Sequence, residues 1–250
     1  MLQTDRGSWS NKSAADNGGF VSSEEAYSGI AILEVMAEAR NYNRHLLSLL
    51  ETRIKPGDKV LDFGAGRGTF AAPLRQSGID VLCLEPDATL SATLQTMGLP
   101  TLRHLEELAD ASIDYIYTFN VLEHIENDRD TIRALAEKLK PGGRMLIYVP
   151  AFQALYSAFD RRIGHLRRYR RNALAKMLAA AGLSVQKAAY VDCLGFFAAL
   201  LYRVIARERG ELSLTSVKIF DRWIFPVSRL MDAILWPFIG KNVMVVARKP

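Results

Sequence analysis

The sequence predicts an α/β fold with a largely parallel sheet and helices on both of its faces. Between residues 59 and 191, apolar runs of strand length alternate with segments of helical period, a pattern typical of repeated β-α-β units. The runs VLDF, VLCL and MLIYV are apolar over almost their whole length, as expected for strands covered on both faces. At 250 residues, the chain is long enough for one large domain with an appended cap or tail.

Periodicity and breaker residues predict the elements in order. Aliphatic residues at helical spacing predict a first helix over 29–53, which Pro56 and Gly57 follow. Further helices are predicted at 69–76, 88–97, 128–139 and 172–181, and strands at 59–63, 80–84, 101–103, 114–119, 144–149, 184–191 and 242–248.

The two irregular parts of the chain have different compositions. Residues 192–241 are aromatic-rich and helical in pattern, which predicts a cap inserted before the last strand. Residues 1–28 are rich in Ser, Asn, Asp and Gly, which predicts a disordered segment and leaves 29–250 as a single domain.

Composition excludes several classes of protein. Hydrophobic residues at 49% and charged residues at 24% exclude fibrous, collagen-like and wholly disordered chains. The net charge of +5 is too small to imply a nucleic-acid partner. Cys83 and Cys193 lie far apart in apolar runs, so we expect no disulfide scaffold, no metal site and a reducing, cytoplasmic location. The sequence contains no apolar signal core and no apolar run of membrane-spanning length.

The sharpest motif is a glycine loop between the first strand and the helix that follows it. Gly64, Gly66 and Gly68 alternate there, and glycine permits positive φ and lets a ligand lie against bare backbone. Glu85 stands at the end of the second strand, where an acidic residue can bind both hydroxyls of a ribose in nucleotide-binding α/β folds. The alternative is a tight strand-to-helix turn with no ligand.

The spacing of the loop disfavours a dinucleotide such as NAD. In the G-x-G-x-x-G fingerprint, counted from Gly64, the third glycine would fall at Thr69, but it stands at Gly68. Asp62 lies two residues before the loop, where a carboxylate suits an ammonium or sulfonium ligand better than a pyrophosphate.

At these residues the sequence resembles the class I S-adenosylmethionine-dependent methyltransferases, in particular a subgroup that includes quinone-biosynthesis and other small-molecule enzymes. The resemblance rests on four motifs in order, which are VLDFGAGRG, LEPD, FNVLEHI and LKPGGRMLIYVP. It implies a Rossmann-like, doubly wound seven-stranded sheet of order 3-2-1-4-5-7-6 whose last strand is antiparallel.

The resemblance also implies a set of cofactor-binding residues. Asp62 would lie beneath the amino group of S-adenosyl-L-methionine, the glycines would border its methionine part, and Glu85 would bind the ribose. The acid that often binds adenine in the family is absent near Leu105. The cofactor residues that we expect are Asp62, Gly64, Ala65, Gly66, Gly68, Glu85, Pro86, Leu105 and Asn120.

Methyl transfer needs few catalytic side chains, because alignment of donor and acceptor supplies most of the barrier reduction. A base is needed only for a hydroxyl or protonated amine acceptor. His124, after the fourth strand, and His165 and Tyr169, after the fifth, are the candidate catalytic residues, with Asp160 and Arg168 as candidate substrate contacts. Some methyltransferases of the subgroup have a similar D-x-x-x-G-H-x-R-R-Y run. The alternatives are a structural histidine and a solvated basic face.

The aromatic insertion allows three interpretations. Its helices could pack as a plain cap, form a lipid-facing surface in peripheral contact with a membrane, or form a homodimer face. The leading hypothesis for the whole chain is methyl transfer from S-adenosylmethionine to a small-molecule or lipid-like acceptor, at oxygen or carbon. An NAD-type oxidoreductase and a catalytically silent cofactor-binding protein are the alternatives.

Overall fold

The computed structural model describes residues 35–205 and 213–250, so the predicted disordered segment 1–28 lies outside the described residues. The strands are β1 (Lys59–Phe63), β2 (Asp80–Leu84), β3 (Thr101–Leu102), β4 (Ile113–Phe119), β5 (Leu139–Pro150), β6 (Ser184–Val191) and β7 (Asn242–Arg248). They form one sheet of order β3-β2-β1-β4-β5-β7-β6, in which β7 is antiparallel to both of its neighbours and the pairs among β1 to β5 are parallel. The predicted order and the antiparallel last strand are therefore confirmed.

Helices cover both faces of this sheet. They are α1 (Arg40–Glu51), α2 (Ala71–Gln76), α3 (Ala88–Thr96), α4 (Asp128–Lys138), α5 (Ala158–Arg162), α6 (Arg171–Ala180), α7 (Cys193–Ile205), α8 (Leu214–Ile219) and α9 (Phe225–Leu235). Single turns of 3₁₀ helix occur at Leu105–Glu107, Leu122–His124 and Gln153–Leu155. Successive residues of β1 enter opposite apolar layers: Val60 belongs to one and Leu61 to the other.

The start of β5 differs from the prediction. The strand begins at Leu139 rather than Arg144, because Leu139 already pairs with Ile113 of β4. The Pro-Gly-Gly sequence that suggests a helix stop thus lies inside an irregular strand, and α4 ends at Lys138.

The first predicted helix, 29–53, is interrupted within the described residues: 35–37 are helical, and the helix breaks before it resumes as α1. Helix α1 starts at Arg40, after a break at Ala39. The backbone N–H groups of Asn41 and Tyr42 donate to the carboxylate of Asp221, at 2.9 and 2.8 Å. This acid from the insertion occupies the place of a helix N-cap, which satisfies donors that a helix start leaves free.

The insertion is helical over its described residues, as predicted. It contains α7, α8, a π-helical turn at Phe220–Ile224 and α9. Phe225 packs against Tyr42 with ring centroids 5.4 Å apart, so the insertion covers α1. Within 35–205 and 213–250, the helices are too short or too polar to cross a bilayer.

The carboxyl ends of the parallel strands meet at one edge of the sheet. The loops after β1, β2, β4 and β5 therefore meet there, and the first residues of the antiparallel β7 join them. Open α/β sheets bind ligands at this edge, where the strand order reverses.

Candidate functional site

The glycines of the loop after β1 all have positive φ, but for different reasons. Gly64, with φ +80°, faces the side chain of Val121: a Cβ atom at Gly64 would lie 2.4 Å from Val121 Cγ2. Gly66, with φ +55°, faces open space, and a Cβ atom there would contact nothing within 4 Å. Gly68, with φ +77°, approaches Leu94 of α3. The loop thus packs tightly at both ends and leaves bare backbone at its centre.

Glu85 is bound directly to this loop. Its Oε2 accepts a hydrogen bond of 2.8 Å from the backbone N–H of Gly66, and its Oε1 accepts one of 3.1 Å from Asp87. Burial raises the pKa of Glu85, and these two donors oppose that shift. Each carboxylate oxygen can accept a second bond, so the group retains acceptor capacity for sugar hydroxyls. The structure therefore brings together the two sequence features that predict a nucleotide site.

Asp62 lies below the loop as a buried acid. Its side-chain Oδ2 accepts no hydrogen bond from the described residues, and the residue is 3% exposed. Burial raises the pKa of Asp62 to about 7. A cationic ligand group placed nearby would stabilise the ionised carboxylate.

Pro86 lies in the turn after β2, and Leu105 lies in the segment after β3. The carbonyl of Pro86 accepts a bond of 3.0 Å from the guanidinium of Arg103, which fixes the turn after β2. Leu105 is buried in the core. The nearby Glu107 carboxylate accepts from the backbone N–H groups of Arg103 and His104, so it caps the local turn.

Ala65 and Asn120 are each held by a backbone hydrogen bond to a strand of the sheet. The N–H of Ala65 donates to Leu84 at 3.2 Å, which ties the loop to β2. Asn120 follows β4 with φ +55°, and its N–H donates to the carbonyl of Tyr148 at 2.8 Å. The role of each predicted cofactor residue stays a prediction, and the geometry places them around one edge of the sheet.

The segment after β5 is organised by a buried ion pair. Arg168 donates from Nε to Asp160 Oδ1 at 2.8 Å and from Nη2 to Asp160 Oδ2 at 3.0 Å. The Asp160 side chain is fully buried. Although burial opposes it, bonds from His165 and Arg168 hold the pKa of Asp160 well below its usual range. Both predicted substrate contacts thus bind each other and shape the segment; whether they also touch a substrate stays a prediction.

His165 connects this pair to the loop after β4. Its Nδ1 lies 2.8 Å from Asp160 Oδ1, and its Nε2 lies 3.6 Å from Glu123 Oε1. The His124 ring crosses that of His165 at a centroid distance of 4.7 Å. Part of His124 is exposed, yet neighbouring protein atoms desolvate the ring and lower its pKa to about 4.

Tyr169 lies deeper than the two histidines. Its hydroxyl donates to Asp128 Oδ2 at 2.7 Å and lies 3.0 Å from the carbonyl of Leu122. Burial and the Asp128 carboxylate raise the pKa of Tyr169 well above its usual value. In this position the side chain ties the start of α4 to the loops after β4 and β5. The predicted catalytic roles of His124, His165 and Tyr169 stay predictions.

Sequence reasoning missed two polar residues at the same edge, Lys241 and Asn242. Lys241 Nζ lies 3.2 Å from Asp192 Oδ2 and 5.6 Å from the centre of the Tyr42 ring. Asn242 donates to the hydroxyl of Tyr148 at 3.1 Å. An available signal was the antiparallel direction of β7, which brings its first residues to the edge where the parallel strands end.

These features define a doubly wound α/β protein with a nucleotide-type cofactor site at its switch point. A family model described as a methyltransferase domain matches residues 36–188. The chain belongs to that family. This membership makes S-adenosyl-L-methionine the cofactor of the site.

Individual relatives are more distant. The ubiquinone biosynthesis O-methyltransferase of Rickettsia typhi is 32% identical over 97 residues, which cover 36% of this chain and 39% of that protein. The demethylmenaquinone methyltransferase of Paenarthrobacter aurescens is 27% identical over 143 residues, 50% of this chain and 53% of that protein. The chain therefore spans about half, or less, of the length of these curated relatives.

A solved structure supports the fold. A SAM-dependent methyltransferase from Thermotoga maritima superposes with a TM-score of 0.60 at 16% identity, covering 90% of this chain and 98% of that one.

The residues fit the cofactor. The buried Asp62 oxygen that accepts no hydrogen bond suits the amino group of S-adenosylmethionine, and the open space above Gly66 leaves room for its methionine part. Glu85 has acceptor capacity for the ribose hydroxyls.

Proposed function

We propose that the chain transfers the methyl group of S-adenosylmethionine to a small-molecule or lipid-like acceptor, at oxygen or carbon. The observation that carries the proposal is the hydrogen bond between Gly66 N–H and the Glu85 carboxylate, which fixes a sugar-binding acid against an open glycine loop. When bound, S-adenosylmethionine supplies an electrophilic methyl group on a sulfonium centre.

The chain's contribution is to bind, orient and exclude water. Glu85 holds the sugar and Asp62 accepts from the amino group, so the cofactor is held on both sides of its sulfonium centre. The segment after β5, pinned by Asp160 and Arg168, walls the edge where the acceptor enters. Orientation of this kind can contribute about 7–11 kcal/mol to barrier reduction.

The relatives support a quinone-like acceptor. Two are named as a ubiquinone biosynthesis O-methyltransferase and a demethylmenaquinone methyltransferase, and a quinone contains a flat six-membered ring. The aromatic side chains at the carboxyl edge suit such a ring: Phe70 packs on Phe119 at 4.9 Å, and Phe119 on Tyr148 at 5.9 Å between centroids.

A membrane surface is the proposed source of this acceptor. Trp223, Val227, Leu230 and Ile234 recur at helical spacing and are between 50% and 77% exposed; we call them the outer apolar face. Helix α9 also buries Phe225 on its inner side, so it has large apolar side chains in two directions. A helix with this pattern needs a second apolar environment.

The charges around the outer apolar face support an anionic lipid surface. Arg222 and Arg229 are exposed beside it. The two acids between residues 220 and 235 are engaged by the protein itself. Asp221 accepts from the start of α1, and Asp232 accepts from the N–H groups of Asp192 and Cys193 at 2.7 and 2.9 Å. Basic and apolar side chains together are typical of interfacial helices.

A cytoplasmic location stays a proposal, supported by the two free, buried cysteines.

Turnover with labelled cofactor tests the proposal. The chain is incubated with methyl-labelled S-adenosylmethionine and with separate quinone-precursor, phospholipid and RNA fractions. We expect label in the quinone or lipid fraction, and the variant Glu85→Ala should lower kcat/KM at least about tenfold. Label in RNA alone would contradict the acceptor class. Tight binding of S-adenosylhomocysteine without transfer to any fraction would favour the silent cofactor-binding alternative.

A further inference from the structure

Glu123 is a buried acid without a hydrogen-bond partner among the described residues. Its side chain is fully buried, and within the described residues neither carboxylate oxygen has a hydrogen-bond partner. Such a group costs free energy unless a donor or a cation satisfies it. The nearest basic atom is His165 Nε2, which lies 3.6 Å from Glu123 Oε1. That distance is longer than a hydrogen bond.

The orientation of His165 explains the gap. Its Nδ1 lies 2.8 Å from Asp160, whose carboxylate is held ionised by the paired Arg168 guanidinium. In the neutral ring, the proton therefore resides on Nδ1, and Nε2 presents a lone pair. When Glu123 is ionised, Nε2 and the Glu123 carboxylate are two acceptors that face each other. A positive ion between them satisfies both.

We propose that Glu123, His124 and His165 bind a divalent transition-metal ion such as Zn²⁺. One ligand atom from each of the three residues lies within 4.8 Å of the others. Two ligands that are each about 2.1 Å from a tetrahedral ion lie about 3.4 Å apart, close to the 3.6 Å between His165 and Glu123. Two imidazoles and one carboxylate form the ligand set of many zinc sites that keep one position open.

The residues behind the cluster fit a metal site. Metal-bound histidines commonly donate their other N–H to a carboxylate, which fixes the ring and its tautomer. Asp160 has this relation to His165, and the bidentate Arg168 fixes Asp160 in turn. In this arrangement the Asp160–Arg168 ion pair fixes a metal ligand as well as shaping the segment after β5. It also gives His124 and His165 a role that excludes their use as free bases.

The cluster lies beside the loop that carries Asn120, at the edge where the acceptor enters. A metal ion there would lower the pKa of a coordinated acceptor hydroxyl, which would release its proton to solvent. This use of the ion rests on the proposed methyl transfer to oxygen, whereas metal binding itself does not.

Metal binding is measured without cofactor or acceptor. The chain, prepared without a histidine tag and stripped by chelator, is titrated with Zn²⁺ in a calorimeter and with Co²⁺ in a spectrophotometer. We expect one equivalent of each ion and Co²⁺ absorption bands of a four- or five-coordinate site. His124→Asn and Glu123→Gln should each weaken binding at least about tenfold, by analogy with the loss from second-shell changes.

His104→Asn is the matched control, because His104 is an exposed histidine outside the cluster and should leave the affinity unchanged. Circular dichroism checks the fold of each variant. If Glu123→Gln does not fold, the partly exposed His124→Asn decides the question alone. Binding of less than one tenth of an equivalent to the wild-type chain would overturn the proposal, as would undiminished binding in His124→Asn. Since neither readout requires turnover, failure here leaves the methyl-transfer proposal standing.

Discussion

Gly64 and Gly66 of the loop after β1 require glycine for different reasons, and single substitutions should distinguish these reasons. Gly64→Ala introduces a methyl group into Val121 and should lower the free energy of unfolding by about 1–3 kcal/mol beyond the cost of positive φ. Gly66→Ala meets open space, so it should cost only the φ term of about 1–2 kcal/mol. It should weaken S-adenosylhomocysteine binding, because the methyl group enters the proposed cofactor space.

Urea denaturation and calorimetric titration measure the two effects. Val121→Ala in the Gly64→Ala background should recover part of the lost stability, because it removes the clashing atoms. Equal destabilisation by both glycine substitutions, with no difference in ligand affinity, would contradict the assignment.

Asp62 predicts a pH dependence for cofactor binding. Its pKa of about 7 lies above the value of about 3.9 in an unfolded chain. The folded chain thus holds a proton that the unfolded chain releases, and this contribution to stability declines as pH rises from about 4 to 7. An ammonium ligand pairs with the ionised form. We therefore expect S-adenosylhomocysteine affinity to increase about tenfold between pH 5.5 and 7.0.

Calorimetric titration at several pH values checks this expectation. Asp62→Asn should remove most of the slope while keeping the size of the side chain. A slope that persists in Asp62→Asn would assign the dependence to another group, such as a histidine.

At the scale of the elements, the insertion leads to a prediction about membrane binding, which depends little on the catalytic chemistry. Replacement of Leu230 and Ile234 by Glu should lower partition into anionic vesicles at least about tenfold, since each buried side chain contributes about 1.5–3 kcal/mol. Co-sedimentation with phosphatidylserine and with phosphatidylcholine vesicles measures the effect. Neutral vesicles should bind the wild-type chain more weakly, because Arg222 and Arg229 then lack an anionic partner.

The control for this pair is Met97→Glu, at an exposed apolar residue outside the insertion. It should leave vesicle binding unchanged. Sedimentation velocity tests the alternative that the outer apolar face forms a homodimer. That alternative holds if the wild-type chain is a dimer that does not bind vesicles and if Leu230→Glu and Ile234→Glu convert it to a monomer.

For the molecule as a whole, the cofactor that the site binds should raise the free energy of unfolding. Occupation of the site by S-adenosylhomocysteine at 100 times its Kd should add about 2.7 kcal/mol to the free energy of unfolding. In a chain of this size that corresponds to an increase in Tm of about 5–10 °C. NAD at the same concentration should have no such effect, because Asp62 stands where its pyrophosphate would need an open helix start. Differential scanning fluorimetry with both ligands measures the difference, and stabilisation by NAD alone would be the contrary result.

Much of the architecture could be predicted from local patterns. The bounds of β1, β2, β6 and β7 agree with the predicted strands, because β1, β2 and β7 are largely apolar runs and β6 follows the helix stop at Gly182. The glycine loop and Glu85 were recognisable for the same reason, since spacing along the chain determines what lies at the ends of neighbouring strands. Leu139 shows the limit: it becomes part of β5 only by pairing with Ile113.

The sequence by itself determined the class of fold, the cofactor loop and its acidic partner, because these depend on hydrophobic period and on glycine within short segments. The tertiary structure alone decided which distant polar groups meet. Asp221 caps a helix 180 residues before it, and the Glu123 carboxylate faces His165 across two loops. Side-chain burial and pairing of this kind depend on how whole elements pack, and no periodicity in the chain records that packing.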